Sequence, residues 1–164
     1  MNPYLKNVLD LINNGSMDNT YKMSWIRSIV ESCEKSPKKN IHFDELSRLI
    51  FKYYWNQCIF FNLNQSHNRN KKPEIIQIVE NSIKEYQLSR GFKKETFTRI
   101  ENEIDIPVTK ISSVLKKDVC KRFLNLGGRT HKIYDYDLTK REIKLINPIV
   151  LKTYSEILYN SINY

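Results

Sequence analysis

The chain has 164 residues, the length of one domain that can bury about two-thirds of the surface exposed by its unfolded form. Its three cysteines lie far apart and form no CxxC or Cys/His spacing, which argues against a disulfide framework or a zinc site. The sequence contains no run of about 18 apolar residues and no signal peptide, so we expect a single-domain cytoplasmic protein without a membrane partner.

The formal net charge is +9, and lysine and arginine occur in several clusters along the chain. Lysines that neutralise phosphates release condensed counterions, so this balance favours a polyanionic partner, most often nucleic acid. The alternative is compositional, because AT-rich genomes encode many lysines, asparagines and isoleucines, and the chain is rich in all three. The charge alone leaves both interpretations open.

Hydrophobic periodicity and the positions of the prolines predict a mainly helical protein. Asn2-Pro3 and Asn147-Pro148 each place a capping side chain before a proline at the first helical position. The predicted helices cover about residues 3–13, 20–35, 43–60, 73–89, 94–104, 107–124 and 148–162.

Between the last two predicted helices the hydrophobic period changes from 3.6 to 2, which is typical of strands. Residues 129–136 and 141–145 are predicted to form a β-hairpin with a turn at 137–140, and Gly127-Gly128 to end the preceding helix. The predicted fold class is therefore mainly α: a compact multi-helix domain with one small hairpin near residues 130–146.

The third predicted helix carries a candidate nucleic-acid surface. Arg48, Lys52 and Trp55 fall on the side opposite its apolar residues, and an indole beside two cations can stack on a base. The alternative is that another element covers Trp55, because tryptophans are highly buried on average. The polar loop that follows adds three further candidate cations: Arg69, Lys71 and Lys72.

A second candidate surface comes from the helices at 94–104 and 107–124 and the hairpin, which follow the order of a winged helix-turn-helix in the C-terminal half. Lys110, Lys117 and Lys121 form a lysine stripe opposite the buried face of the second of these helices, and such a stripe can contact a phosphate backbone or a major groove. The hairpin would supply the wing, with the cations Arg129, Lys132, Lys140 and Arg141. The alternative is an amphipathic surface helix, which carries lysines in any basic protein.

Four segments have a more specific pattern: NTYKMSWIRSIVES (19–32), FDELSRLIFKYYWNQ (43–57), KPEII (72–76) and IYDYDLTKREIKL (133–145). They resemble the N-terminal helical region of a group of prokaryotic HNH endonucleases, in which such segments precede a ββα-metal nuclease. The resemblance ends near residues 163–164, about where members of that group continue into the nuclease half. It implies an N-terminal module of a longer bacterial endonuclease that works in restriction or phage defence.

The chemistry of an HNH nuclease is not apparent in this sequence. Its histidines, His42, His67 and His131, fall in different predicted elements and form none of the motifs that hold a divalent metal against a phosphate. No P-loop, GxGxxG or GxSxG motif is present either. We therefore expect no cofactor in this chain, and a divalent metal only in the nuclease half.

The function predicted from these observations is non-catalytic binding and positioning of duplex DNA for an HNH-type nuclease. The alternative is a protein-interaction, dimerisation or regulatory module of such a nuclease, which makes no direct DNA contact. Its contact surface would be aromatic and include Trp55, Phe60 and Phe61. Homodimerisation is open in either case.

Overall fold

The computed structural model describes residues 1–61 and 72–162, with the side chains of Asn19 and Thr20 left undescribed. The predicted fold class is confirmed, because helices dominate and the strands form small antiparallel sheets. The helices are α1 (Pro3–Asn14), α2 (Asn19–Glu34), α3 (Phe43–Phe60), α4 (Glu74–Arg90), α5 (Phe97–Ile100), α6 (Val108–Val114), α7 (Cys120–Phe123), α8 (Pro148–Thr153) and α9 (Ser155–Ile162). The strands are β1 (Asn40–His42), β2 (Asn125–Leu126), β3 (Arg129–Thr130), β4 (Tyr134–Asp137) and β5 (Glu142–Leu145).

The Asn-Pro pairs begin helices as predicted. The Asn2 side chain accepts hydrogen bonds from the amides of Tyr4 and Leu5, at 2.9 and 3.2 Å. The Asn147 side chain accepts one from the amide of Val150 at 3.3 Å. Each bond satisfies an amide of the first turn that has no partner within its helix, so both helix starts are fixed locally.

The helix predicted at 94–104 is wrong in its extent, because only Phe97–Ile100 is helical. Phe97 packs edge-on against Phe51 of α3 at 5.7 Å between ring centroids, and its amide donates to the Asn56 side chain. Tertiary contacts with α3 therefore fix a single turn and override the local helix propensity. The predicted helix 148–162 is likewise divided at Tyr154 into α8 and α9.

The predicted hairpin is present as β4 and β5, but it belongs to a three-stranded sheet. β1 pairs with β5, so the strand order is β1-β5-β4. Residues 129–130 were predicted to belong to the first strand of this hairpin. In the structure they pair with β2 instead and form a second small hairpin. Gly127 and Gly128 form its turn with φ values of 59° and 78°, a conformation that glycine adopts without steric cost.

One buried cluster joins α2, the three-stranded sheet and the helix that carries the lysine stripe. Trp25 packs edge-on against Phe43 and Tyr134 at 5.8 and 6.1 Å between ring centroids, and its indole N–H donates to the Tyr134 hydroxyl at 3.1 Å. The Tyr134 hydroxyl donates in turn to the carbonyl of Cys120. Buried hydrogen bonds through Tyr134 therefore join the β4–β5 hairpin to α2 and to the helix that carries the lysine stripe.

The helix predicted at 107–124 is continuous but not uniformly α-helical. Between α6 and α7 lies a π-helical segment, Leu115–Val119, after which the amide of Cys120 donates to the carbonyl of Leu115. We call the whole run, residues 108–123, the lysine helix. A π-helical turn holds an extra residue, so the side chains that follow it are rotated by about 100° relative to a regular α-helix.

Burial raises the pKa of Cys58 to about 11 and the pKa of Cys120 to about 12, from an ordinary value of 9.0. Both thiols stay protonated in the folded protein while they ionise in the unfolded chain near pH 9. We therefore expect the free energy of unfolding, measured in urea, to fall as the pH rises from 9 towards 12. A Cys58→Ala variant should show a shallower fall, and equal stability of the native protein at pH 9 and pH 11 would contradict the burial of these groups.

Candidate nucleic-acid interface

The surface predicted around Trp55 is not available to a nucleic acid. The Trp55 side chain is 0% exposed, and its indole N–H donates to the carbonyl of Glu95 at 3.0 Å. Phe51 and Tyr86 lie against it, with ring centroids at 5.8 and 5.6 Å. Trp55 therefore does not stack on a base, and the alternative that another element covers it is confirmed, because α4 and the segment before α5 cover this side of α3.

The two cations of that surface differ in their surroundings. Lys52 is partly buried and forms an ion pair with Glu31 at 3.1 Å. The Tyr53 hydroxyl donates to the same carboxylate, and the guanidinium of Arg27 lies over the Tyr53 ring at 4.5 Å from its centroid. Arg48 is exposed and lines an open groove between α2 and α3, together with Asp44, Glu45 and other charged side chains. The charges of both signs in this groove make it a poor match for a polyanion.

The loop that follows α3 contributes little to the described surface. Arg69, Lys71 and His67 lie outside the residues that the structure describes. Lys72 is exposed and forms an ion pair with Glu80 at 3.0 Å. Of the aromatic residues in the alternative interaction surface, Phe60 and Phe61 are exposed and Trp55 is not.

All three residues of the lysine stripe are exposed on the lysine helix. Lys117 lies 3.3 Å from Glu74 and 3.7 Å from Asp118, and the hydrogen bond to Glu74 contributes most to raising the pKa of its ammonium group. Lys110 and Lys121 form no ion pair within the described part of the chain. Because the π-helical segment lies between Lys110 and Lys121, the stripe is not the straight line predicted, and Lys121 is turned by about 100°.

Arg141 brings the loop of the β4–β5 hairpin against the lysine helix, where it contacts the buried Ser112 and the exposed Ser113. Its guanidinium donates to the hydroxyls of Ser112 and Ser113, at 3.1 and 3.2 Å. Its carbonyl accepts a hydrogen bond from the amide of Phe43 at 2.8 Å, and its φ of 54° is the single positive value among the described non-glycine residues. Arg141 was predicted as a cation of the wing; in the structure it holds the loop in place.

The position of Ser113 explains why this contact matters for the lysines. Ser113 lies three residues after Lys110, so these two side chains share one side of the helix, and Lys117 follows four residues later within the π-helical segment. The hairpin loop therefore lies beside the stripe, and it exposes Lys140, whose side chain forms no ion pair with any described residue. Lys132 of the predicted wing is paired with Asp135 at 2.6 Å.

Arg129 lies just beyond the end of the lysine helix, exposed in β3 and without an ion pair among the described residues. Lys110, Lys117, Lys121, Arg129 and Lys140 are together called the cationic face, which bends at Lys121 because the π-helical segment turns that side chain by about 100°. Lys116 and Arg122 are also exposed on the lysine helix and were missed by the sequence analysis. A periodicity count that allowed for the π-helical segment would have drawn attention to Arg122.

The described residues include no group of three or more His, Cys, Asp or Glu side chains that could hold a metal ion. Within the same ranges, no helix has the length and apolar character needed to cross a membrane. No protein-family model, curated protein or solved structure matches the chain. The resemblance to HNH endonucleases therefore remains an expectation that rests on the sequence segments alone.

The positive φ of Arg141 leads to a prediction for two variants. Arg141→Gly and Arg141→Ala both remove the bonds to Ser112 and Ser113, which should lower the free energy of unfolding by about 1–2 kcal/mol. The alanine variant should lose about 1 kcal/mol more, because glycine adopts positive φ without steric cost. Urea unfolding of the two variants measures this difference, and equal stability would show that the loop does not keep this conformation in solution.

Proposed function

We propose that the protein is a non-catalytic module that binds duplex DNA through the cationic face. The observation that carries the proposal is the Arg141 contact with Ser112 and Ser113, which holds a lysine-bearing loop beside a lysine-bearing helix. A surface that is ordered before binding loses less conformational entropy when it meets its ligand. The buried bond from Tyr134 to Cys120 supports the same arrangement from the core side.

The dimensions and chemistry of the cationic face favour a duplex over a single strand. Lys110 and Lys121 are eleven positions apart, which corresponds to about 16 Å along a helix, or roughly five base steps of a duplex strand. Proteins that bind single strands rely on exposed aromatic side chains for base stacking. The lysine helix exposes no aromatic side chain, because its one aromatic residue, Phe123, is buried, and Trp55, the aromatic residue predicted to stack, is buried as well.

The place of this module in a larger activity is proposed from the sequence resemblance. In that view, the module positions DNA for an HNH nuclease domain that belongs to a restriction or phage-defence system of a bacterium. The nuclease domain would hold the divalent metal and carry out the hydrolysis. The segments NTYK at 19–22 and YDYD at 134–137 support this proposal because they lie in α2 and β4, the helix and the hairpin strand expected for them.

A salt titration of duplex-DNA binding tests the proposal. Four or five phosphate contacts should give a slope of about −4 in a plot of log affinity against log salt concentration. Fluorescence anisotropy with a labelled duplex of arbitrary sequence measures this slope. Binding that is absent at low salt, or that does not depend on salt, would contradict the proposal.

The second candidate function is a protein-interaction or dimerisation module, which the exposed side chains of Phe60 and Phe61 favour. Apolar contacts are only weakly affected by salt screening, unlike phosphate contacts. Sedimentation at rising protein concentration would reveal self-association. A Phe60→Ser/Phe61→Ser variant that loses self-association and keeps its affinity for DNA would assign the two surfaces separate roles.

A further inference from the structure

A pocket of about 560 Å³ opens beside the lysine helix, where the start of α2, the start of α4 and the end of the lysine helix meet. This volume lies in the usual range for sites that bind small molecules. Met17, Tyr21 and Pro73 form its apolar walls. The Tyr21 hydroxyl accepts a hydrogen bond from the amide of Ile75 at 3.2 Å, which leaves its O–H free to donate.

The polar part of the pocket consists mainly of groups that have capacity for further hydrogen bonds. Asp118 contacts Lys117 at 3.7 Å, outside ordinary hydrogen-bond distance. The Arg122 guanidinium and the Asn125 side-chain amide line the same pocket and bond to no side chain or backbone group of the described residues. The pocket thus combines a carboxylate acceptor, a guanidinium donor and an amide that is both. A second carboxylate, that of Asp18, also lines the pocket and already has an interaction partner.

These groups match a flat, uncharged ligand that has donors on one edge and acceptors on another. Guanine has this arrangement: N1–H and the N2 amino group can donate to a carboxylate, and O6 and N7 can accept from a guanidinium. Adenine lacks the ring donor, and cytosine lacks the adjacent pair of acceptors. The walls formed by Tyr21 and Met17 suit the faces of a purine ring.

The lining of the pocket carries charges of both signs, because Asp18 and Asp118 are carboxylates and Arg122 is a cation. Arg122 lies inside the pocket, and Lys117 and Lys121 are the neighbours of Asp118 and Arg122 in the chain. The same cations would stabilise a phosphate attached to a base in the pocket. A ligand with a neutral base and an anionic tail therefore fits both the pocket and its rim.

We propose that this pocket binds a guanine base through Asp118, Arg122 and Asn125, with the attached phosphate directed towards the lysine helix. The guanine belongs either to a free guanine nucleotide or to an unpaired position in DNA. The proposal goes beyond duplex binding by the cationic face, because a free nucleotide is enough to fill the pocket.

Titration of ¹⁵N-labelled protein with GMP, AMP, CMP and inorganic phosphate tests the proposal. We expect saturable shifts of the Asn125 and Gly127 amides with GMP, and binding weaker by roughly five- to 150-fold with the other nucleotides. Asp118→Asn should weaken GMP binding by a similar factor, because an amide cannot accept from both guanine donors. Asp105→Asn, at an exposed position outside the pocket, is the matched control and should have no effect.

Equal affinity for the three nucleotides, absence of binding at millimolar concentrations, or an unchanged affinity of Asp118→Asn would overturn the proposal. Competition between GMP and a duplex that contains one bulged guanine tests whether the guanine bound in the pocket belongs to DNA or to a free nucleotide. Displacement of GMP by this duplex, but not by the same duplex without the bulge, assigns the pocket to DNA, and equal behaviour of the two duplexes assigns it to the free nucleotide. The GMP titration does not depend on duplex binding, so failure of the cationic face to bind DNA would leave its result intact.

Discussion

Replacement of Trp55 by alanine is expected to lower the free energy of unfolding by about 3–5 kcal/mol. The side chain is fully buried between Phe51 and Tyr86, and its truncation leaves a cavity that the neighbouring rings can fill only in part. The carbonyl of Glu95 also loses its bond to the indole. Urea unfolding followed by circular dichroism measures the change.

Trp55→Phe is the matched variant that separates packing from DNA contact. It retains an aromatic ring and should lose only about 1–2 kcal/mol, so the protein remains folded at working temperature. Its affinity for duplex DNA should equal that of the native protein, because Trp55 does not reach the surface. A folded Trp55→Phe protein with impaired DNA binding would restore the stacking role that the structure argues against.

The combined variant Lys110→Glu/Lys121→Glu is expected to bind duplex DNA roughly 100-fold more weakly at low salt. Each lysine lost from a phosphate contact should make the log–log salt slope less negative by about 0.9, or by about 2 for the pair. Stability should change by no more than about 0.5 kcal/mol, because both side chains are exposed and unpaired in the described structure. Fluorescence anisotropy and urea unfolding provide the two measurements.

Lys6→Glu/Lys84→Glu is the control for charge. Both lysines are exposed on other helices, and each pair of substitutions changes the net charge of +9 by the same four units. The control should retain most of the affinity for DNA. An equal loss in both variants would mean that net charge, and not the cationic face, determines binding. Lys117 is left unchanged, because a glutamate there would lie beside Glu74 and Asp118 and would destabilise the fold.

Features that depend on local chemistry could be predicted from the sequence. The Asn-Pro helix starts are examples, because a capping side chain and a proline act within a single turn. The β4–β5 hairpin is another, since the alternating pattern and the turn residues lie together in the chain. The outlines of α3 and α4 follow from the same kind of periodicity.

Features that depend on distant contacts could not be predicted. β1 has only three residues, and it is a strand because β5, about 100 residues later, pairs with it. Trp55 lies opposite the core residues of α3 when that helix is considered alone, and only α4 and the segment near Glu95 show that it is buried. The π-helical segment could not be predicted either, because the sequence LKKDV gives no local sign of it. Its distant contact is the buried Tyr134, whose hydroxyl donates to the carbonyl of Cys120 just after the segment.

The candidate site also combines a feature that local sequence predicts with a feature that depends on distant contacts. The exposure of the lysine stripe was predictable, because an amphipathic pattern identifies the solvent side of a helix. The contact of Arg141 with Ser112 and Ser113 was not, because it joins residues nearly 30 positions apart in the chain. This contact turns two separate basic segments into one surface.

A chemical-shift titration of ¹⁵N-labelled protein with a short duplex tests whether duplex DNA lies on the cationic face. We expect the shifted amides to concentrate in residues 109–122 and in the loop at 138–141, and to return to their original positions at high salt. Shifts confined to the groove around Arg48 between α2 and α3, or no shifts at low salt, would contradict this expectation.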